Sequence, residues 1–505
     1  MSKNKRKQNK AGQQEQKKIK VLAWCDSPAV STGFAQVTKN VLGYLARTGK
    51  YEIDVIGIND TGSYKDPARF PFKIWPAKSA IESTMGDFHG RPRLVAAVLG
   101  KEPEIKLPWD IVFTLNDPFI LEEPLMAFDK GTMEILKVAQ IQYKKAVEQG
   151  KIPPEYLYKI ISYWPVDSAV KENWVDVIAM PDKPVAYTEY GKREILKANK
   201  HKKEPIPNLE EDLGIINHGV KLETFKVVPG DDVQKFKDTY FEGKVKKETF
   251  LITVIARNQM RKDLPRTLQV FSEFLKRRPQ SFLYLHCKET DAWGSLKEYA
   301  RNWPNLEYGE NWGCPSNFNV NQGIPIEAVN LIYNASDCIL STTQGEGWGF
   351  YNSEGFATKT LVVGPNNTTT PELFGYDYKE DVSDIEAIYP KLRGIPYKCG
   401  STSSEWAVYG VQDLERIRPL ANVDDAVKKL IWAYDNPDKV KEIVERAYNW
   451  IQNYSWDIIC QKWDTLFQEA YKELTDERTE AVRKSKEPRP ADDTAGKTEK
   501  SSLKQ

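Results

Sequence analysis

The chain has 505 residues, with 72 Lys and Arg against 71 Asp and Glu, so its formal net charge is +1. That length suggests two or more domains with sizeable cores, and 40% hydrophobic with 28% charged residues is the profile of a soluble globular chain. No apolar run approaches the roughly 18–20 residues of a membrane helix, no secretory signal opens the chain, and collagen-like or wholly disordered architectures are excluded. The six cysteines are scattered, the closest pair being Cys314 and Cys338, 24 positions apart. With no Cys-x-x-Cys and four histidines without ligand spacing, no metal site is expected and a reduced, cytoplasmic setting is. Balanced charge argues against a whole-molecule nucleic-acid binder, although local patches remain possible.

Residues 1–20 carry eight Lys or Arg and one acid, Glu15. A basic arm over 1–18 therefore reads as disordered, because it buries too little apolar surface to offset its ordering entropy. It serves either to touch nucleic acid, another polyanion or a membrane surface, or merely to solubilise. Ile19–Cys25 is the first buried strand, followed by Val37, Val41, Leu42 and Leu45 at helical spacing. Further strands are expected at Ile53–Ile58, Ile111–Leu115, Ile160–Trp164, Pro184–Thr188 and Leu213–Asn217, with 61–108 a long irregular insertion. A second series follows a polar stretch near 226–248: Phe250–Ala256, Ser281–Cys287, Asp337–Ser341 and Thr360–Gly364. Pro265 suits the start of a helix whose buried stripe is Leu268, Phe271, Phe274 and Leu275. Solid apolar strands separated by helices indicate parallel sheets covered on both faces. The expected organisation is an N-terminal Rossmann-like domain over 19–225 and a second over 226–447. A helix over 448–475, with Trp450, Trp456, Trp463 and Phe467, returns to the first domain, and a disordered tail fills 476–505.

Two such units place the carboxyl ends of their strands across a shared cleft, where α/β sheets bind ligands. Ser31-Thr32-Gly33-Phe34 follows the first strand and opens a helix, which fits either an anion-facing loop or a tight turn. Arg257-Asn258-Gln259-Met260-Arg261-Lys262-Asp263 follows the Phe250 strand, and its cations suit a diphosphate clamp or a solvated turn. The most informative stretch is Thr343-Gln344-Gly345-Glu346-Gly347-Trp348-Gly349-Phe350, with Glu354 a turn into the next helix. Acids are frequent enough that the pair Glu346 and Glu354 means little alone. Glycines at 345, 347 and 349 let backbone approach closely around Glu346, and a carboxylate that accepts two hydroxyl hydrogen bonds can hold a ribose or hexose. Gly364-Pro365-Asn366-Asn367-Thr368-Thr369-Thr370-Pro371-Glu372 is another strand-to-helix turn, whose free N–H groups suit a second phosphate contact.

Taken together, Arg257…Lys262, the Glu346-Gly-Trp-Gly-Phe…Glu354 motif, Pro371-Glu372 and Asn217-His218-Gly219-Val220 resemble the retaining GT-B glycosyltransferases. This is the large family that includes sucrose synthases and many bacterial and phage polysaccharide transferases. The likeness spans roughly 19–475 and is strongest over 249–375. It implies a GT-B fold: two Rossmann-like doubly wound α/β domains facing across a cleft. It further implies that Glu354 binds the donor ribose, that Glu346 holds donor-sugar hydroxyls with backbone N–H groups of Gly347 and Trp348, and that Arg257 and Lys262 bind the diphosphate. Gly33 faces the donor phosphates and Thr369 completes that contact. Asn116 and Asp117 stand where the family commonly has a histidine, and either face the sugar or form an Asx turn. His218 fits a structural place near a hinge.

The implied activity is transfer of a sugar from a nucleotide-diphosphate sugar to an acceptor hydroxyl with retention and without a metal. The nucleotide sugar is a co-substrate, no cofactor is expected, and the setting is the host cytoplasm if the chain is of phage origin. Competing readings are a DNA-modifying transferase acting on hydroxymethylated bases, a same-fold nucleotide-sugar epimerase, and a non-catalytic nucleotide-sugar or nucleic-acid binding protein. The acceptor, possibly modified DNA or a glycan, is not fixed by these motifs, nor is the oligomeric state. The aromatic-rich segment Phe70–Trp75 permits a nucleic-acid acceptor.

Overall fold

The computed structural model describes residues 17–60, 70–77, 87–125, 127–316, 318 and 323–487. The expected basic arm, apart from Lys17 and Lys18, lies outside the described residues. So do 488–505 of the expected tail.

The first lobe is built on seven parallel strands: β1 (Ile19–Asp26), β2 (Tyr51–Ile58), β3 (Lys73–Pro76), β4 (Ile111–Leu115), β5 (Lys159–Trp164), β6 (Lys183–Ala186) and β7 (Gly214–Ile215), in spatial order β3-β2-β1-β4-β5-β6-β7. The second carries six: β8 (Phe250–Ile255), β9 (Ser281–His286), β10 (Trp312–Gly313), β11 (Cys338–Leu340), β12 (Leu361–Pro365) and β13 (Ile395–Tyr397), in order β10-β9-β8-β11-β12-β13, again all parallel. An antiparallel hairpin of β14 (Trp406–Val408) and β15 (Ile417–Pro419) follows. The two parallel sheets are the Rossmann-like pair expected from the sequence.

Side-chain alternation explains how one strand serves two cores. On β1, Leu22 and Trp24 join one apolar layer with Ile56 and Val112, whereas Val21, Ala23 and Cys25 join the opposite layer with Val55 and Phe113. In the second lobe, helix Leu264–Leu275 starts just past Asp263, with Pro265 in its first turn, and buries Leu268, Phe271, Phe274 and Leu275. The strands expected from sequence are all present. The parallel strands that were missed, β3, β10 and β13, have few residues and lie at sheet edges, and the hairpin strands β14 and β15 were missed as well.

Three expectations need correction. The insertion over 61–108 is not wholly irregular: β3 pairs with β2, and residues Arg91–Val98 form a helix. Phe70 of the aromatic segment is 4% exposed and stacked on Phe72 at 5.8 Å, so it fills core rather than offering a free stacking face. At the carboxyl end, helix Pro437–Ile451 stays on the second lobe through Ile443, Ala447 and Ile451. The return to the first lobe begins only with helix Trp456–Ser485, whose Trp456, Ile459, Trp463 and Phe467 cover the β1 layer. That helix runs ten residues past the expected start of the tail, because Leu474 and Ala481 are buried against Val147 and Leu157.

Trp463 is fully buried, edge-on to Phe113 at 5.6 Å and to Tyr163 at 4.7 Å. Trp463→Ala is expected to lower first-lobe stability by about 3–5 kcal/mol, read as an earlier urea-unfolding transition.

Candidate functional site

The site is assembled where β11 ends. The chain leaves Leu340, passes through the glycine-rich turn and enters helix Phe350–Ala357. Gly349 sits at φ +78 as that helix's N-cap. Gly345 touches the other lobe: a Cβ there would lie 2.0 Å from the carbonyl oxygen of Asp167, just past β5. At Gly347 a Cβ would meet Tyr187 at 3.4 Å and the Val166 backbone at 3.7 Å. The turn is therefore glycine-rich because it is pressed against the strand ends of the first lobe.

Glu346 is 7% exposed and is held by three groups. Lys262 Nζ pairs with Oε1, Arg261 donates to Oε2 at 3.1 Å, and the Glu346 backbone N–H donates to Thr368 Oγ1 at 3.1 Å. Burial alone would raise the Glu346 carboxyl, but Lys262 and Arg261 reverse this and hold it below the usual carboxylate range. Burial, followed by the repulsion of Arg261, lowers Lys262. Arg261 also reaches across the lobes to Asp167 Oδ2 at 3.2 Å. Two further cations converge on Asp167: Arg416 at 3.0 Å and Arg418 at 3.3 Å, the latter also donating to the Asp167 carbonyl at 3.0 Å. Against burial, Arg261, Arg418 and Arg416 hold the Asp167 carboxyl at about 2. Arg416, just before β15, and Arg418, on it, flank exposed Ile417, and both reach Asp167.

The facing wall carries acids. Asp26, at the end of β1, accepts hydrogen bonds from Thr32 and from Asn59 at 3.3 Å, and burial pushes it up to about 6. Asn116 is buried and its Oδ1 accepts the Asp117 N–H at 2.8 Å, a bond to the next residue rather than the two-residue span of an Asx turn. Burial, then the negative charge of Asp167, pushes Asp117 up to about 7 despite Arg416 and Arg261.

The remaining expected residues fall as follows. Glu354 lies on helix Phe350–Ala357, accepts the Tyr333 hydroxyl at 2.7 Å, and is pushed up to about 7 by burial. Gly33 begins helix Gly33–Arg47, and a Cβ there would touch the Phe350 ring at 3.7 Å, so it stands at the lobe contact. Trp348 is 3% exposed, its indole N–H 3.4 Å from Ser353 Oγ. Thr369 is buried, with its hydroxyl turned to the Trp348 carbonyl at 3.4 Å, so Thr368 is the threonine that meets Glu346. Arg257 is not gathered at Glu346. Its side chain is 56% exposed and paired with Asp291 at 2.9 Å. His218 is buried against Tyr163, Tyr187, Phe350 and Trp456, with its Nδ1 2.7 Å from the Tyr163 hydroxyl, and burial lowers it to about 3. Glu372 accepts the Tyr190 N–H at 3.3 Å and so caps the first-lobe helix Glu189–His201. Sequence reasoning missed Asp167, Arg416, Arg418, Asp26 and Tyr187. The alternation Arg416-Ile417-Arg418 was the one available signal.

Between Val254, Lys262, Thr342, Glu346 and Tyr351 lies a cavity of about 10 Å³, roughly the size of one water. Among the described residues no group of His, Cys, Asp and Glu has the arrangement to hold a metal, and no helix is long and apolar enough to cross a membrane.

No protein-family model matches the sequence, and no curated protein does. Solved structures do match over nearly the whole chain. Sucrose-phosphate synthase from Thermosynechococcus elongatus is 10% identical with a TM-score of 0.60, covering 90% of this chain and 100% of that one. A glycosyltransferase from Rickettsia africae is 16% identical at 0.59, covering 90% and 99%. HepE from Anabaena in complex with UDP is 10% identical at 0.57, covering 90% and 100%. This likeness shows the GT-B fold.

A carboxyl whose folded value lies above its unfolded one favours folding fully below the unfolded value and loses that contribution as pH rises through the folded one. Glu354, raised from 4.5 to about 7, behaves so. Glu354→Gln should match wild type near pH 4 and be more stable near pH 8 by on the order of 1–3 kcal/mol, checked by denaturation at both pH values. Gly345→Ala cannot keep the contact with Asp167, so small-angle scattering should show a larger radius of gyration than wild type.

Proposed function

We propose that the protein is a glycosyltransferase that moves a sugar from a nucleotide-diphosphate sugar to an acceptor hydroxyl, with retention and without a divalent ion. The observation that carries this is the buried Glu346, set in a glycine turn beside Lys262 and Arg261 at the junction of two Rossmann-like lobes. Glu346 and the N–H groups of Gly347 and Trp348 hold the donor sugar. Glu354, beside Tyr333, takes the ribose hydroxyls. Lys262 grips the diphosphate. Arg257 joins after leaving Asp291, because an exposed ion pair is worth only about 0–1 kcal/mol and exchanges readily.

In the transfer, the bond from the anomeric carbon to the diphosphate oxygen breaks and its electron pair leaves with the diphosphate. The acceptor oxygen bonds to the anomeric carbon from the same face, and its proton passes to the departing diphosphate oxygen. Cations fixed around that oxygen stabilise the charge as it develops. The donor enters the junction when the lobes part. Closure over it then excludes the water that would hydrolyse it.

Lys262→Ala and Glu354→Ala should each reduce nucleotide diphosphate release from the matching nucleotide sugar by at least about 10²-fold, with circular dichroism unchanged. Normal turnover by both variants would remove the site from this reading.

A further inference from the structure

Two cysteines meet where β9 and β10 end. These strands are parallel neighbours, with Leu283 level with Trp312 and Tyr284 level with Gly313. Carrying that register one residue further sets Cys314 opposite Leu285. Beyond β9 the Cys287 N–H donates to the Leu285 carbonyl at 2.9 Å, a γ-turn that folds Cys287 back toward the same level. The faces agree as well. Leu283, Leu285, Cys287 and Trp312 belong to one core with Cys314 packed against it, whereas Phe282 and Tyr284 belong to the core on the other side of the sheet. In keeping with this placement, a hydrogen bond with Cys314, ahead of burial, holds the Cys287 thiol well above its ordinary range. Cys287 is buried, Cys314 is partly exposed, and both thiols are free. The other four cysteines lie apart, on β1, on β11, just past β13 and on the last helix.

We propose that Cys287 and Cys314 are a reversible oxidation site, linked by reaction with a low-molecular-weight disulfide, and that the link displaces the loop that holds Arg257. The thiolate of Cys314, the more accessible sulfur, attacks the small disulfide and expels one small thiolate. The Cys287 thiolate then attacks Cys314 Sγ and expels the second. The two protein protons end on the two released thiols, so one disulfide is reduced as another forms. For this the protein sulfurs must close from hydrogen-bonding to covalent distance, which draws Cys287 toward β10 together with the loop it opens, 288–295. That loop is tied to the cation-bearing turn after β8. Fully buried Asn258 donates to its Glu289 and Gly294 carbonyls at 3.1 and 2.8 Å, and Arg257 pairs with its Asp291 at 2.9 Å. A cysteine pair that is free in a reduced setting and linked on oxidation acts as a sensor rather than a staple. The consequence for donor binding rests on the glycosyltransferase reading, whereas the oxidation site itself does not.

The test treats the reduced full-length protein with bis(2-hydroxyethyl) disulfide, alkylates it and digests it without reduction. Mass spectrometry should find the Cys287 and Cys314 peptides joined, two hydrogens lighter than their sum, and dithiothreitol should separate them. Amide hydrogen exchange over 288–295 should differ between the linked and reduced forms. Among ADP, GDP and UDP, the nucleotide that the reduced protein binds should bind the linked form at least about fivefold more weakly, with full recovery on reduction. Cys314→Ser, at a partly exposed position, should form no link and bind the nucleotide alike with and without oxidant. Cys287→Ala should report the same from the other sulfur. The proposal is overturned if the two thiols stay unlinked, if the linked form exchanges or binds as the reduced form does, or if Cys314→Ser responds to oxidant as wild type does. If the reduced protein binds none of the three nucleotides, the donor reading falls, and linkage and exchange still decide the oxidation site.

Discussion

The arrangement turns on one chain of charges that crosses the lobe boundary: Lys262 to Glu346, Glu346 to Arg261, Arg261 to Asp167, and Asp167 to Arg416 and Arg418. Charges taken out of water repay their desolvation only when geometry and further hydrogen bonds are complete. Here Glu346 has contacts on both carboxylate oxygens and Asp167 meets three guanidiniums, while Arg416 Nε is left buried without a partner. Such a network adds little net stability compared with apolar packing, yet removing one member strands the others. Its effect is to fix how the glycine turn meets the strand ends, and a fixed meeting is what a site shared by two lobes requires.

The same network sets the electrostatic contrast across the junction. On the second lobe the cations dominate and pull Glu346 low, whereas on the first lobe burial, joined at Asp117 by the charge of Asp167, pushes Asp117 and Asp26 high. On the proposed reading the diphosphate of a donor suits the cationic wall.

Much of this was legible from the residues. Solid apolar runs such as Ile111–Leu115 gave the strands, because a strand covered on both faces has no polar side to show. The glycines around Glu346 announced a close backbone approach, and the approach proved to be to Asp167. What escaped had physical causes. The edge strands β3, β10 and β13 have too few residues for a pattern. Asp167 and Tyr187 lie far along the chain from Glu346, and only the tertiary fold brings them to it. Arg257 and Arg261 are indistinguishable as residues of one short loop, and the fold alone turns one to solvent and the other to the junction. The helix past Ser455 outran its expected end because its apolar positions, Leu474 and Ala481, are sparse and are satisfied by first-lobe side chains.

The connection between lobes is double. The chain crosses at Gly219–Val220 and returns at Tyr454–Trp456, and the two crossings are hydrogen-bonded to each other: Val220 N–H to the Tyr454 carbonyl at 2.8 Å, and Trp456 N–H to the Val220 carbonyl at 3.2 Å. They run so close that a Cβ at Gly219 would lie 2.7 Å from the Trp456 Cα. A single linker would leave swivel and shear free, but a paired ribbon resists both and leaves bending across its plane as the soft direction. On the proposed reading, separation of the lobes follows one arc, and reclosing returns Gly345 to Asp167 in the same register.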